Sequence, residues 1–121
     1  VMHTGDQMPC SAPDDLLKDA LLEMSRKGLG TTVVVDDAQR VLGVFTDGDL
    51  RRALDRQVDV LTARVDAVMT RNCKTIALGT LAAEALQMMQ QYKINALPVV
   101  NSAGNLAGVL NMHDLLRAGV L

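Results

Sequence analysis

Aromatic residues are nearly missing from this chain. It has no tryptophan, and Phe45 and Tyr92 are its only Phe and Tyr. A core must therefore be built from Val, Leu, Ala and Met, and any bound ring would lie mainly against aliphatic walls. Cysteine and histidine are as scarce: Cys10, Cys73, His3 and His113 have no close-spaced partners of the kind a zinc site needs. Two scattered thiols read as reduced and cytosolic, and nothing supports a disulfide between them. No block of Lys or Arg interrupts the mixed charges, whose formal sum is −2, so neither nucleic acid nor an anionic membrane is indicated as a partner. No apolar run approaches the roughly 20 residues of a membrane span, and no signal-peptide pattern opens the chain. The first residue is Val rather than Met, as expected of a piece cut from a longer protein.

What the chain does have is a repeat. "VFTDGDLRRAL" (Val44 to Leu54) returns 65 residues later as "VLNMHDLLRAG" (Val109 to Gly119). The same shift lays "LLKDALLEM" at Leu16 over "LAAEALQMM" at Leu81, and "VVDDAQRVLGV" at Val34 over "VVNSAGNLAGV" at Val99. The pair "VM" at Val1 and Met2 recurs at Val68 and Met69, a shift of 67. A period of this length marks two copies of one supersecondary unit.

Each copy follows one plan. Pro13, Asp14 and Asp15 suit a helix's first turn. Leu17, Ala20, Leu21 and Met24 then repeat at threes and fours to give one apolar face, and Gly28 and Gly30 end the helix. "TTVVV" (Thr31 to Val35) and "RVLGVF" (Arg40 to Phe45) read as strands across a "DDAQ" turn, and a helix runs from near Thr46 to about Arg56. In the second copy, a strand is expected over Lys74 to Ala77. Thr80 can cap a helix with Leu81, Ala85, Leu86, Met88 and Met89 inward. Leu97 to Val100 and Asn105 to Leu110 form a hairpin, and a last helix begins near Asn111. The join, about Gln57 to Ala67, is expected to be short and partly helical. Each β-α-β-β-α half is marginal alone, so the two are expected to bury their apolar faces on each other, with a cleft on each side.

The repeated phrase puts Thr46 and Asn111 at helix N-caps, with Asp49 and Asp114 three residues later. One reading is a capping box. The other is a nucleotide cradle: free N–H groups and the Thr46 hydroxyl for phosphate, a carboxylate for two ribose hydroxyls, and Arg52 or Arg117 for charge. Asp47 and Asp49 as an acid/base pair would need a nucleophile, metal cluster or buried base beside them, and the sequence offers none.

"GVFTDGDLRR" and "GVLNMHDLLR", each after a Val-rich strand, with "VM" opening each half, resemble the signature of cystathionine-β-synthase (CBS) domains over the whole chain. "VMHTGD", "FTDGDLRR" and "MHDLLRAGVL" further resemble the C-terminal region of bacterial D-arabinose 5-phosphate isomerases. The resemblance implies an α/β (α+β) fold, a tandem CBS pair with two pseudo-twofold related halves packed through their sheets. It would have a first CBS motif over 1–57, a linker over 58–67 and a second motif over 68–121. It also implies a regulatory, non-catalytic module joined to a sugar-isomerase domain that this chain lacks, acting in the pathway to Kdo of lipopolysaccharide or capsule. A homodimer is implied too, and no required cofactor.

Carried over from the family, the sugar- and phosphate-contacting motif falls on Gly43, Thr46 and Asp49, and on Gly108, Asn111 and Asp114. Asn111 departs from the usual Ser or Thr, so the first copy is expected to be the more typical cradle. The base-contacting strands are Thr31, Thr32 and Val33 in one half and Ala96, Leu97 and Pro98 in the other. His3 and Thr70, after the "VM" pairs, are expected to line the clefts. His113 is either a solvated or capping residue or a ligand contact. AMP or ATP are the family's usual ligands. CMP-Kdo, the activated end product, is the rival, with a carboxylate for Arg51, Arg52, Arg117 or His113. A structural module with empty clefts, serving only assembly of the isomerase, is the remaining alternative.

Overall fold

The two copies become two small β-sheets and four α-helices among residues 2–119, the residues described by this computed structural model. Val1 of the opening "VM" and Val120 and Leu121 of the closing stretch lie outside the described residues. The chain forms two compact units. One is continuous, Pro9–Cys73; the other joins Val1–Met8 to Lys74–Leu121.

In the continuous unit, β1 (Cys10–Ser11) runs parallel to β2 (Thr31–Val35), which pairs antiparallel with β3 (Val41–Thr46), and β3 in turn with β4 (Thr70–Arg71). Helices α1 (Leu17–Lys27) and α2 (Asp47–Asp55) flank β2 and β3 in sequence. The core gathers Leu17, Ala20, Met24, Val34, Phe45, Ala53 and Val65, with Val68 and Met69. The only Phe of the chain is fully buried there. The other unit repeats the order with β5 (Ile76–Ala77), α3 (Ala82–Tyr92), β6 (Ala96–Val100), β7 (Leu106–Asn111) and α4 (Met112–Arg117). Ala85, Leu86, Met89, Leu97, Val99, Leu110 and Leu115 fill its core with Ile76. Both hairpins carry a register shift at the equivalent place, Val34/Val35 and Val99/Val100.

The hairpin turns show why the copies fold alike. The Asp36 carboxylate accepts hydrogen bonds from the Ala38 and Arg40 amides, and Asn101 does the same for Ala103 and Asn105. Gln39 and Gly104 supply the left-handed residue each turn requires (φ 66° and 83°). At the ends of α1 and α3, Gly28 and Lys93 both take the left-handed conformation that closes a helix, although Lys93 has a Cβ to accommodate there.

The helix starts differ from expectation. Pro13 to Asp15 precede α1 rather than open it: Asp15 folds back to accept the Ala12 amide at 2.9 Å. The first amide of α1, on Leu17, donates to the Ala63 carbonyl, so a chain segment satisfies the helix end in place of a side-chain cap. Thr80 does not cap α3. Its hydroxyl donates to the Ala77 carbonyl, Leu81 takes the N-cap position, and the Leu81 side chain is exposed rather than inward. The strand expected from Lys74 begins at Ile76, and Lys74 lies over the Tyr92 ring instead, 4.4 Å from its centroid.

Candidate functional site

In the continuous unit, Thr46 ends β3 with an extended backbone and caps α2. The capping box is complete: the Thr46 hydroxyl accepts from the Asp49 amide at 3.3 Å, and Asp49 Oδ2 accepts from the Thr46 amide at 2.9 Å. The carboxylate does more than cap. Oδ2 also lies 3.1 Å from the Thr46 hydroxyl, while Oδ1 accepts from Arg52 at 2.6 Å and from the Thr70 hydroxyl at 2.7 Å. Four donors therefore occupy the four lone-pair positions of a side chain that is 3% exposed. The Arg52 side chain is 64% exposed, so it closes the outer side of the group.

Thr70 reaches Asp49 because β4 runs along β3, with Val44 opposite Thr70 and Gly43 opposite Arg71. The approach is close: a Cβ on Gly43 would overlap the Thr70 carbonyl oxygen and crowd the Met69 sulfur at 3.2 Å. Glycine here thus has a packing reason, independent of any ligand.

The other unit has the same layout with different chemistry. His3 bridges Val109 of β7, its amide and carbonyl bonding those of Val109 at 2.8 and 2.9 Å. A Cβ on Gly108 would stand 2.5 Å from the Met2 sulfur. Asn111 caps α4 through the His113 amide at 2.8 Å and does not form a box with Asp114. Asp114 instead bonds His3, with Nε2 to Oδ2 at 2.6 Å, and both side chains keep partial exposure, 26% for His3 and 22% for Asp114. His3, Asp114, Arg117 and Ala118 line an open pocket of about 320 Å³. His113 is exposed and is not among its lining residues.

The ladders bring the expected base-contacting stretches beside these groups, pairing Thr31 with Thr46 and Ala96 with Asn111. Their side chains are committed elsewhere. The Thr31 hydroxyl donates to the Phe45 carbonyl at 3.4 Å, Thr32 and Ser11 hydroxyls bond at 2.8 Å, and Val33, Leu97 and Pro98 are buried. What these strands can offer a ring is backbone edge. Pro98 costs its hairpin no bond, because the amide and carbonyl of its partner Val109 face His3.

The pairing of each post-"VM" residue with an aspartate of the other repeat copy was not legible in the sequence. The shift of 67 that aligns His3 with Thr70 marks the two as equivalent but says nothing of which strand each joins. Among the described residues no His/Cys/Asp/Glu group could hold a metal ion, and no helix is long and apolar enough to cross a membrane. Cys10 and Cys73 are free thiols. Burial pushes both thiol pKa values up; beside Cys10 the Glu23 carboxylate adds to the rise and Lys27 offsets part of it. Both therefore stay protonated at neutral pH, which makes them poor nucleophiles.

The sequence matches the CBS domain family over residues 2–56 and again over 65–121. The chain belongs to the CBS domain family. This tandem CBS pair is 54% identical, over all 121 residues, to the arabinose 5-phosphate isomerase KdsD of Pseudomonas aeruginosa, and 48% identical to that of Yersinia pestis. It spans 37% of the length of these curated relatives. Among solved structures, the CBS domain protein NE2398 superposes with a TM-score of 0.85 at 23% identity, covering 94% of this chain and 88% of that one, which shows the fold. CBSX2 in complex with AMP superposes with a TM-score of 0.82 at 25% identity, covering 98% and 92%. The CBS pair fills the chain, leaving no stretch for an isomerase domain.

Proposed function

We propose that this CBS pair is the regulatory ligand-binding region of an arabinose 5-phosphate isomerase of the Kdo pathway. In this reading it senses a nucleotide-like metabolite, either an adenine nucleotide or CMP-Kdo. The observation that carries the proposal is the match of the entire chain to KdsD isomerases at 54% and 48% identity. CBSX2, which shares the fold, has been solved with AMP. The site chemistry agrees with a nucleotide-like ligand: a carboxylate suited to hydroxyls, an arginine suited to an anion, and strand edges rather than aromatic rings beside them. A ligand that binds one arrangement of the module better than another shifts the balance between them, and this is how it would change the activity of a joined enzyme.

The test is a thermal-shift screen of the chain with AMP, ATP, CMP and CMP-Kdo. A ligand present at 100 times its Kd stabilises by about 2.7 kcal/mol, so the true one should raise the Tm by roughly 10 °C. CMP separates the base and phosphate from the sugar acid. The full donor set on Asp49 favours a second reading, a purely structural module for assembling the isomerase. A melting temperature unmoved by all four compounds, with a dimer in sedimentation, would put that reading ahead.

A further inference from the structure

We infer that the outward face of α3 and α4 is a docking surface, and that its occupant is the isomerase domain of the same polypeptide. The inference rests on the reading above, which makes this CBS pair part of a longer isomerase.

Charge is unevenly shared between the two units. Outside Pro9–Cys73 the only Asp, Glu, Lys and Arg residues are Asp6, Lys74, Glu84, Lys93, Asp114 and Arg117. The repeat lets the copies be compared position by position. Helix α1 turns Lys18, Asp19 and Arg26 to solvent around an exposed Leu22. At the equivalent positions α3 exposes Ala83, Glu84 and Gln91 around Gln87. Lys27 is matched by Tyr92, 44% exposed, and Arg51 of α2 by Leu116 of α4, 41% exposed. A single exposed leucine ringed by charges, as Leu22 is, makes ordinary surface. A helix face that carries its repeat's architecture without its charges has the composition of a protein contact, where Lys, Glu and Asp are depleted and aromatic residues and Met are enriched.

These residues lie together. Ala83, Gln87, Gln90 and Gln91 share one stripe of α3 by their helical spacing. Helix α4 packs beside α3. Leu116 lies one turn beyond Met112, which with Met88 of α3 packs on the shared core, and it stands on the flank of α4 opposite Asp114. Lys74, over the Tyr92 ring, and Lys93, at the helix end, form a charged rim. Two observations select the occupant. The first is size. The 11 residues of α3 are about 16 Å long, so with α4 alongside the face covers roughly 300 Å². That falls short of the roughly 800 Å² that each partner gives to a stable dimer. It suits two domains of one chain, which bury about 600–1,500 Å² between them, because linkage holds them at high effective concentration. The second is attachment. Both ends of the chain belong to the unit that carries this face: Met2 packs on its core, and His3 bonds Asp114 of α4 at 2.6 Å. This chain spans 37% of the length of the curated isomerases. Whatever part of such a polypeptide lies outside the pair therefore leaves from this unit and not from Pro9–Cys73.

The test transfers charges between the copies in the full-length isomerase. Ala83→Lys, Gln91→Arg and Leu116→Arg together give the second copy the residues that the first has at Lys18, Arg26 and Arg51. All three sites are exposed and the new residues are good helix formers, so the Tm should hold. Chymotryptic release of the CBS pair reads the undocked population. Charges forced into the contact without partners should raise the rate of release at least about tenfold, whereas Arg26→Gln in α1 should leave it unchanged. The single Gln91→Arg variant should move the rate in the same direction and serves if the triple variant misfolds. An unchanged rate in the folded variant would overturn the inference. So would a variant released no faster that sediments as a smaller oligomer, because the face would then hold a second copy. Isomerase activity of the unmodified protein separates the two readings. Its absence would remove the proposed function itself, while an active protein whose variant is released no faster would remove the docking alone.

Discussion

Replacing Asp49 with alanine is expected to cost about 3 kcal/mol of folding stability, a drop in Tm of roughly 10 °C, while Asp114→Ala should cost only about 1 kcal/mol. A lone helix cap is worth about 0.5–2 kcal/mol. Asp49 adds to its cap a charge-assisted bond from Arg52 and a bond from Thr70, within a nearly closed environment. Its removal leaves the Thr46 amide and both threonine hydroxyls without their acceptor, and the desolvation of each lost partner adds to the cost. Most of the Arg52 contribution is discounted because that side chain stands largely in water. Asp114 is partly exposed, has His3 as its one side-chain partner among the described residues and does not cap α4. Urea unfolding of the two variants measures the contrast, and equal losses would mean that the four-donor network contributes nothing beyond the cap.

Gly43→Ala should destabilise by about 2 kcal/mol, toward the upper part of the range for overpacking a close contact. The new methyl group would meet the Thr70 carbonyl, a backbone atom held by the β3–β4 ladder, and the ladder must spread to admit it. Gly108→Ala is the internal control. Its nearest obstacle is the end of the flexible Met2 side chain, which can turn aside, with the His3 carbonyl at a less severe 3.1 Å. That variant should lose less than about 1 kcal/mol. Guanidinium unfolding at matched protein concentration distinguishes them. A Gly108→Ala loss equal to that of Gly43→Ala would show that the identity of the opposing atom does not matter.

Local features of this fold were legible in the sequence because local chemistry decides them. The β-branched run at Thr31 to Val35 is a strand as bounded, and the Thr46–Asp49 spacing is a capping box whose partners are three residues apart. Helix starts were less legible: Pro13 to Asp15 and Thr80 have the composition of a helix entrance, yet bonds to Ala12 and Ala77 draw Asp15 and Thr80 away from capping. The site was half legible. Residue type and spacing pointed to Asp49 and Asp114, but the partners that distinguish them, Thr70 and His3, arrive from other parts of the chain. Nor could spacing show that Asn111 would reach an amide two residues ahead rather than three, the step that separates Asp114 from Asp49.

The exchange of the "VM" segments also fixes an order of assembly. Thr70 and Asp49 are 21 residues apart, whereas His3 and Asp114 are 111 apart. Loop-closure entropy makes the longer connection costlier by only about 1.5 kcal/mol, but sequence direction makes it later. A chain leaving the ribosome carries every residue of Pro9–Cys73 before it carries any of Lys74–Leu121. Met2 and His3, made before either unit's hairpin, must wait with their thioether and imidazole unplaced until β7 and α4 emerge. The pocket of the second copy is thus completed only after the Asp49 network of the first, once Asp114, Arg117 and Ala118 have been made to meet a His3 that has waited for them.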